Sequence, residues 1–258
     1  MSESSVPFLV DAHLHPLPGH SAATFATLAK QLRVSQLILN GSQEKDWPQV
    51  HALANSQAEI QIFPFYGLHP WYGREKEKNW MELLRQFSSH AAGIGEIGLD
   101  TRHGLPHSEE NSSLQQDVFR QQLALAQSLS RPVTIHCVRA WHLLLPILRE
   151  MLRHHPVPLL LHGYNASEPI LSQLLPFPVW FSLGERFFRQ NPEKARAVLS
   201  QIPPERLLLE SDATTVEAFS QLPGFYEKIA CYEGLSLQKL GGRMEENLLA
   251  YLHAANSL

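Results

Sequence analysis

Cysteine is almost absent from this chain. Cys137 and Cys231 are the only two in 258 residues, too few for a disulfide framework, which points to a reducing compartment. No long basic block occurs and the formal net charge is -4. A protein that coats duplex nucleic acid is therefore not expected, because lysines and arginines must displace its counterions. An enzyme that grips a small anion, or one nucleic-acid end, through bound metal remains compatible with that balance. No uninterrupted apolar run approaches the ~18 residues of a membrane span. The N-terminus lacks a basic region followed by a long apolar stretch. A cytoplasmic protein without membrane attachment, and with no obligate protein partner, is expected.

What is present is apolar bulk and histidine. Hydrophobic residues make up 44% of the chain, enough for a sizeable core. Eight apolar runs read as strands: Phe8–Val10, Leu37–Leu39, Ile60–Gly67, Ala92–Gly98, Val133–His136, Leu159–His162, Val179–Ser182 and Leu207–Asp212. Pro64 weakens the third. Helical spacing fills the intervals at Ser21–Arg33, Gln43–Ser56, Glu77–His90, Leu114–Ser130, Trp141–Arg153 (where Pro146 predicts a kink or later start), Glu168–Leu175 and Asn191–Gln201. Two helices, Phe219–Glu233 and Leu237–His253, close the chain, and a loop rich in His, Ser and Glu spans Thr101–Ser113. Alternation of this kind implies parallel strands joined by right-handed crossovers. An open doubly wound sheet of the dinucleotide-binding kind would carry G-x-G-x-x-G after a strand, and no strand is followed by one. The expected fold is α/β, a single (β/α)8 TIM barrel over residues 1–258, since such a barrel takes about 250 residues.

Residues able to ligate metal recur where these strands end. In Asp11-Ala12-His13-Leu14-His15-Pro16, alternation along a strand puts His13 and His15 on one face with Asp11 in line behind them. Among 14 histidines one such pair carries little weight. Glu96, His136, His162 and Asp212, however, end strands four, five, six and eight, at the rim where barrel active sites lie. Each alone has an ordinary reading as a turn cap or a hydrogen-bonded core histidine. Six polar groups gathered at one buried rim need a shared cause, because unpaired they would be costly. A divalent metal supplies it. Six N and O ligands exceed the three that a catalytic zinc commonly takes, so two ions sharing a carboxylate are expected. Such a positive centre suits an anionic substrate, above all a phosphate ester.

The motifs Asp-x-His-x-His (11–15), Gly-Leu-His-Pro (67–70), Gly-Glu-Ile-Gly-Leu-Asp (95–100), Ile-His (135–136), His-Gly (162–163) and Glu-Ser-Asp-Ala (210–213) together resemble the TatD family of metal-dependent hydrolases. The resemblance spans most of the chain. It implies a TIM barrel, two divalent ions (Zn, Mn, Mg or Fe) and hydrolysis of phosphodiester bonds in DNA or a small diester, as in a TatD-type deoxyribonuclease. Carried over by motif, His13, His15, Glu96 and Asp212 hold one metal, and Glu96 bridges to a second held by His136 and His162. A metal-bound hydroxide would attack phosphorus. Asp212 would orient it and take up its proton. His69 would meet the substrate phosphate, while Asp11 and Glu210 would fix histidine orientation from behind. Asn247 falls where the family has an asparagine of structural role.

The chain departs from the family after strand eight. Members continue with Pro and a loop carrying Arg-x-Asn-x-Pro, whereas Thr214–Phe219 here runs almost directly into helix. Specificity is thereby left open, because rim loops set it in this fold. Trp71, Tyr72, Tyr164, Phe187 and Phe188 are candidates to stack on bases, with packing as the ordinary alternative. Arg102, Arg139 and Arg186 are candidates for phosphate contact. The alternative enzyme is an amidohydrolase or lactonase acting on a C–N or ester bond. Many of those bridge their metals with a carboxylated lysine on strand four, and every lysine here falls in helix or loop. A multi-histidine phosphoesterase lacks its second His-x-His. A barrel retained only for binding would have no need of the full ligand set.

Overall fold

Apolar runs bounded by turn residues satisfy their backbones by pairing with one another, and all eight do so here. The computed structural model describes residues 8–56, 60–102 and 109–256. Its elements run β1 (Leu9–Leu14), α1 (Ala22–Gln31), β2 (Val34–Asn40), α2 (Trp47–Ala54), β3 (Gln61–Tyr66), α3 (Trp80–Ser88), β4 (Gly93–Asp100), α4 (Glu109–Ser128), β5 (Val133–Val138), α5 (Trp141–Met151), β6 (Leu159–Leu161) and α6 (Glu168–Leu174). They continue with β7 (Val179–Leu183), α7 (Glu185–Phe188), α8 (Pro192–Leu199), β8 (Leu207–Leu209), α9 (Val216–Phe219), α10 (Leu222–Glu233) and α11 (Leu237–His253). Each strand is parallel to the next, in the order β1 to β8.

The seam between β8 and β1 needs separate means, because β8 is only three residues long. Closure falls to the segment behind it. Asp212 N–H donates to His13 O (2.9 Å), His15 N–H donates to Ala213 O (3.0 Å), and Leu14 bridges Ala213 in parallel. The Asp11 carboxylate rivets the same seam, accepting from Ser211 N–H (3.0 Å), the Ser211 hydroxyl (2.5 Å) and His13 N–H (3.2 Å). Lower down, the buried Tyr226 hydroxyl of α10 both accepts from Val10 N–H (3.0 Å) and donates to Val10 O (2.9 Å). It stands in for the strand that β8 is too short to provide. Asn247 of α11 donates to Pro204 O (2.7 Å) and Leu207 O (2.8 Å), pinning the start of β8.

Several boundaries differ from expectation for identifiable reasons. β1 runs to Leu14, so Asp11 and His13 lie inside a buried strand and not beyond it. β3 includes Pro64, whose carbonyl still accepts from Ala92 N–H (2.8 Å). α2 begins at Trp47, because Ser42–Asp46 are tied into a turn in which Ser42 N–H donates to Asp46 Oδ2 (3.2 Å). α5 runs through Pro146 from Trp141. The helix expected over Phe219–Glu233 begins at Leu222, with Pro223 in its first turn, and the short α9 precedes it. α7 was not expected. Of the loop expected at Thr101–Ser113, residues 103–108 lie outside the described residues, and α4 already begins at Glu109.

The glycines of β4 include a literal G-x-G-x-x-G at Gly93–Gly98, but it lies within the strand and serves packing. Its backbone is pressed by the segment behind β3. A Cβ on Gly67 would sit 2.7 Å from the Gly95 carbonyl carbon and 2.8 Å from Glu96 O. Gly67→Ala is accordingly expected to destabilise the fold by about 1–3 kcal/mol through overpacking, read as a lowered urea midpoint at unchanged m-value.

Candidate metal centre

The ligands come to one mouth of the barrel, though not all from strand ends: Glu96, expected to end its strand, lies in the middle of β4, and His136 lies two residues before the end of β5. Five imidazoles surround the Glu96 carboxylate, which is 2% exposed. Glu96 Oε2 faces His15 Nε2 (3.3 Å) and His13 Nε2 (3.5 Å). Oε1 faces His162 Nε2 (2.7 Å), His136 Nδ1 (3.0 Å) and His69 Nε2 (3.4 Å). Asp212 Oδ1 lies 3.9 Å from His13 Nε2 and 3.8 Å from His15 Nε2, and a third of its side chain is exposed. All six residues expected as ligands therefore converge, and Glu96 presents one oxygen to each side.

The spacing tests whether ions fit. Donor atoms about 2.1 Å from a tetrahedral ion stand about 3.4 Å apart. His13 Nε2 and His15 Nε2 are separated by 3.2 Å, and His136 Nδ1 and His162 Nε2 by 3.1 Å. Within the first cluster the contacts to Glu96 and Asp212 run from 3.3 to 3.9 Å. Three overlapping sets could each hold an ion: His13, His15 and Asp212; His13, Glu96 and His162; His69, Glu96 and His136.

Tautomers sharpen the fit. The His15 Nδ1–H donates to Asn40 O (3.0 Å), turning Nε2 toward the cluster. His136 Nε2–H donates to Asp100 Oδ2 (3.1 Å), leaving Nδ1 free to ligate. His162 Nδ1 lies 3.5 Å from Glu210 Oε1, with Nε2 inward. His69 is reversed: its Nδ1 accepts from Trp71 N–H (3.2 Å), so the neutral ring carries its proton on the nitrogen facing Glu96. Burial, reinforced by His162, pushes His13 down to about 3, and burial takes His69 to about 4. Both are neutral near pH 7. Burial disfavours the Glu96 anion, yet His162, itself held well above its ordinary value by Glu96 and Glu210 against burial, outweighs it, and the carboxyl lies well below its ordinary value.

The residues behind the ligands differ in part from expectation. Glu210 accepts from Gly163 N–H (2.6 Å) and from the Ser182 hydroxyl, and backs His162. Asp11 meets backbone and Ser211, and among the described residues no imidazole, so its expected role in orienting a ring is corrected to seam closure. Asp100, the last residue of Gly-Glu-Ile-Gly-Leu-Asp, carries a role that the motif alone does not disclose. Its Oδ2 accepts from both His136 and the Trp71 indole (2.9 Å).

Two glutamines were also missed. Gln122 exchanges two hydrogen bonds with the Leu68 backbone (2.7 and 3.0 Å), and Gln115 does the same with Asp100 (2.9 and 3.0 Å). Seven residues apart on α4, both buried, they clamp the segments carrying His69 and Asp100. The available signal was two amides in the apolar stripe of Phe119, Leu123 and Ala126.

A cavity of about 540 Å³ opens over the cluster, lined also by Ser42, Asp46, Trp71, Tyr72, Arg186 and Thr214. Of the aromatic candidates, Trp71 and Tyr72 face it. Tyr164 and Phe187 are buried in the core, and Phe188 stacks on Phe225. Among the described residues no helix is long and apolar enough to cross a membrane.

A (β/α)8 barrel with a histidine–carboxylate cluster at the C-terminal rim has the architecture of the metal-dependent hydrolases. Residues 10–253 match the TatD related DNase family, and the chain belongs to it. An uncharacterized deoxyribonuclease of Saccharomyces cerevisiae is 27% identical, covering 79% of this chain and 83% of its own length. The 3'-5' ssDNA/RNA exonuclease TatD of Erwinia tasmaniensis is 29% identical over 72% of this chain and 70% of that protein. A human 3'-5' RNA nuclease is 32% identical over 60% of this chain, which spans only 20% of that longer protein. Among solved structures, the TatD homolog YJJV of Escherichia coli superposes with a TM-score of 0.80 at 22% identity, covering 96% of this chain and 98% of that one.

Asp100→Asn is expected to weaken divalent-metal affinity about 10–100-fold, because it loosens the tautomer of His136. Competition with a chromophoric chelator measures it.

Proposed function

We propose that this chain hydrolyses phosphodiester bonds of nucleic acid, using two divalent ions held by His13, His15, Glu96 and Asp212 on one side and by Glu96, His136 and His162 on the other. The observation that carries the reading is the spacing of the donors: the His13 and His15 nitrogens stand 3.2 Å apart and the His136 and His162 nitrogens 3.1 Å apart about one buried carboxylate, with His15 and His136 each bonded from behind through the other ring nitrogen. The names of the relatives, nucleases of DNA and RNA, supply the bond. When bound, the ions lower the pKa of a water and neutralise charge on the phosphoryl oxygens.

The remaining roles fall to side chains. Glu96, ionised and buried, offers one oxygen to each side and keeps them in register. Asp212 is the solvent-reaching carboxylate of the set, suited to orient the attacking water and accept its proton. Its left-handed backbone (φ 51°), stabilised by its N–H bond to His13 O, turns the side chain toward the mouth. His69, neutral with its proton on Nε2, is a donor to a phosphoryl oxygen and not a ligand by that nitrogen. This supports the substrate role over its membership in a ligand set.

Metal-stripped protein is expected to be inactive on single-stranded DNA, RNA and bis(p-nitrophenyl) phosphate, and to recover with added Mn or Zn. Elemental analysis should find two ions per chain. Glu96→Gln and Asp212→Asn should each lower kcat by at least about 100-fold with unchanged far-UV circular dichroism. Full activity in either variant, or turnover of lactones and amides in place of diesters, would refute the proposal.

A further inference from the structure

The cavity over the metal cluster has an asymmetric wall. Its lining carries the carboxylates of Asp46, Glu96 and Asp212, and one permanent cation among the described residues, Arg186. Arg186 lies on α7, directly behind β7, and is half-buried. Its neighbours hold that short helix firmly. Phe187 is fully buried beneath it, and Phe188 stacks on Phe225 with ring centroids 4.9 Å apart. Gly184 permits the approach, since a Cβ there would stand 3.1 Å from Glu210 O.

The guanidinium has no carboxylate partner within ion-pairing distance among the described residues. The nearby acid Glu185 is engaged by Arg189 at 2.6 Å. Asp46 is occupied by the Ser42 N–H and by Gln43. A half-buried arginine left without an anion beside a cavity is a poised anion receptor, and its planar fork suits phosphate.

Position within the barrel says which phosphate. Trp71 and Tyr72 follow β3, and Arg186 follows β7, four strands apart in a ring of eight. They therefore stand on opposite sides of the mouth, with the metal ligands between. Trp71 is 38% exposed while its indole N–H is tethered to Asp100. An ester seated at the metal cluster lies between an aromatic face and a cation, neither of which belongs to the ligand set.

We propose that Arg186 binds a phosphate adjacent to the one cleaved, so that the site selects a nucleotide chain laid across the mouth from Trp71 toward α7 over an isolated diester. The inference rests on the phosphodiesterase reading for the identity of the scissile bond, but its binding test does not. Arg186 is a positioning residue, and its effect belongs in KM and in salt dependence.

The binding test uses a fluorescein-labelled, phosphorothioate-linked single strand, which keeps its charge and resists cleavage, titrated against manganese-loaded protein at several salt concentrations. Arg186→Gln should weaken binding roughly 10–100-fold and reduce the salt slope by about 0.7, the share of one contact with a single strand. Arg186→Lys should restore part of both. In turnover, Arg186→Gln should lose more kcat/KM on a single-stranded oligonucleotide than on bis(p-nitrophenyl) phosphate, chiefly through KM.

Wild-type affinity and slope in Arg186→Gln, no binding by the wild type, or equal losses on both esters would overturn the clamp. Arg186-dependent binding by a protein that cleaves neither ester would sink the phosphodiesterase reading and leave the clamp standing. Cleavage of both esters with Arg186→Gln indistinguishable from wild type would do the reverse.

Discussion

A carboxylate buried almost completely in a protein interior must have compensation, and Glu96 has an unusual amount of it. Five imidazole nitrogens stand within 3.5 Å of its two oxygens. Protons alone satisfy such a cluster poorly. Each added imidazolium repels its neighbours, while each neutral ring leaves a lone pair facing another nitrogen at close range. Divalent charge resolves both conflicts at once, carrying twice a proton's charge and accepting lone pairs from several donors. The barrel rim is arranged around that requirement: polar residues in or just behind β1, β4, β5 and β6 turn toward one centre.

Holding those residues to a few tenths of an ångström falls to groups that never enter the cavity. Gln115 and Gln122 of α4 act like a missing β-strand, offering amide donors and acceptors to Asp100 and Leu68. Asn40 and Asp100 set the tautomers of His15 and His136. Tyr226 completes the backbone of β1 where no strand reaches it. Gln115, Gln122, Asp100 and Tyr226 are polar side chains held within hydrogen bonds, the arrangement that makes a polar core specific.

Much of this was legible from the chain and some was not. The ligands stood out because each follows a run such as Leu159-Leu160-Leu161, where a polar residue in an apolar context marks a strand's exit. His69 was legible as a site residue from its motif, but its tautomer depends on a backbone N–H two residues on. Asp11 misled, because a carboxylate in phase with two histidines on one strand looks like their support. Its partner Ser211 comes from 200 residues away. The glutamine clamp and the Arg186 helix were hidden for the same reason: their meaning is long-range, and Glu185–Phe188 is too short for periodicity to register.

The closure of the ring has a further consequence. The bonds joining Asp212 to His13 and Ala213 to His15 tie together the first strand and the segment behind the last. An ion held by His13, His15 and Asp212 would staple the same two segments, from opposite ends of the barrel's sequence. Escape of that ion and parting of the cylinder would then be one local opening, so ion exchange and amide exchange at Asp212 and His15 would proceed on a common clock.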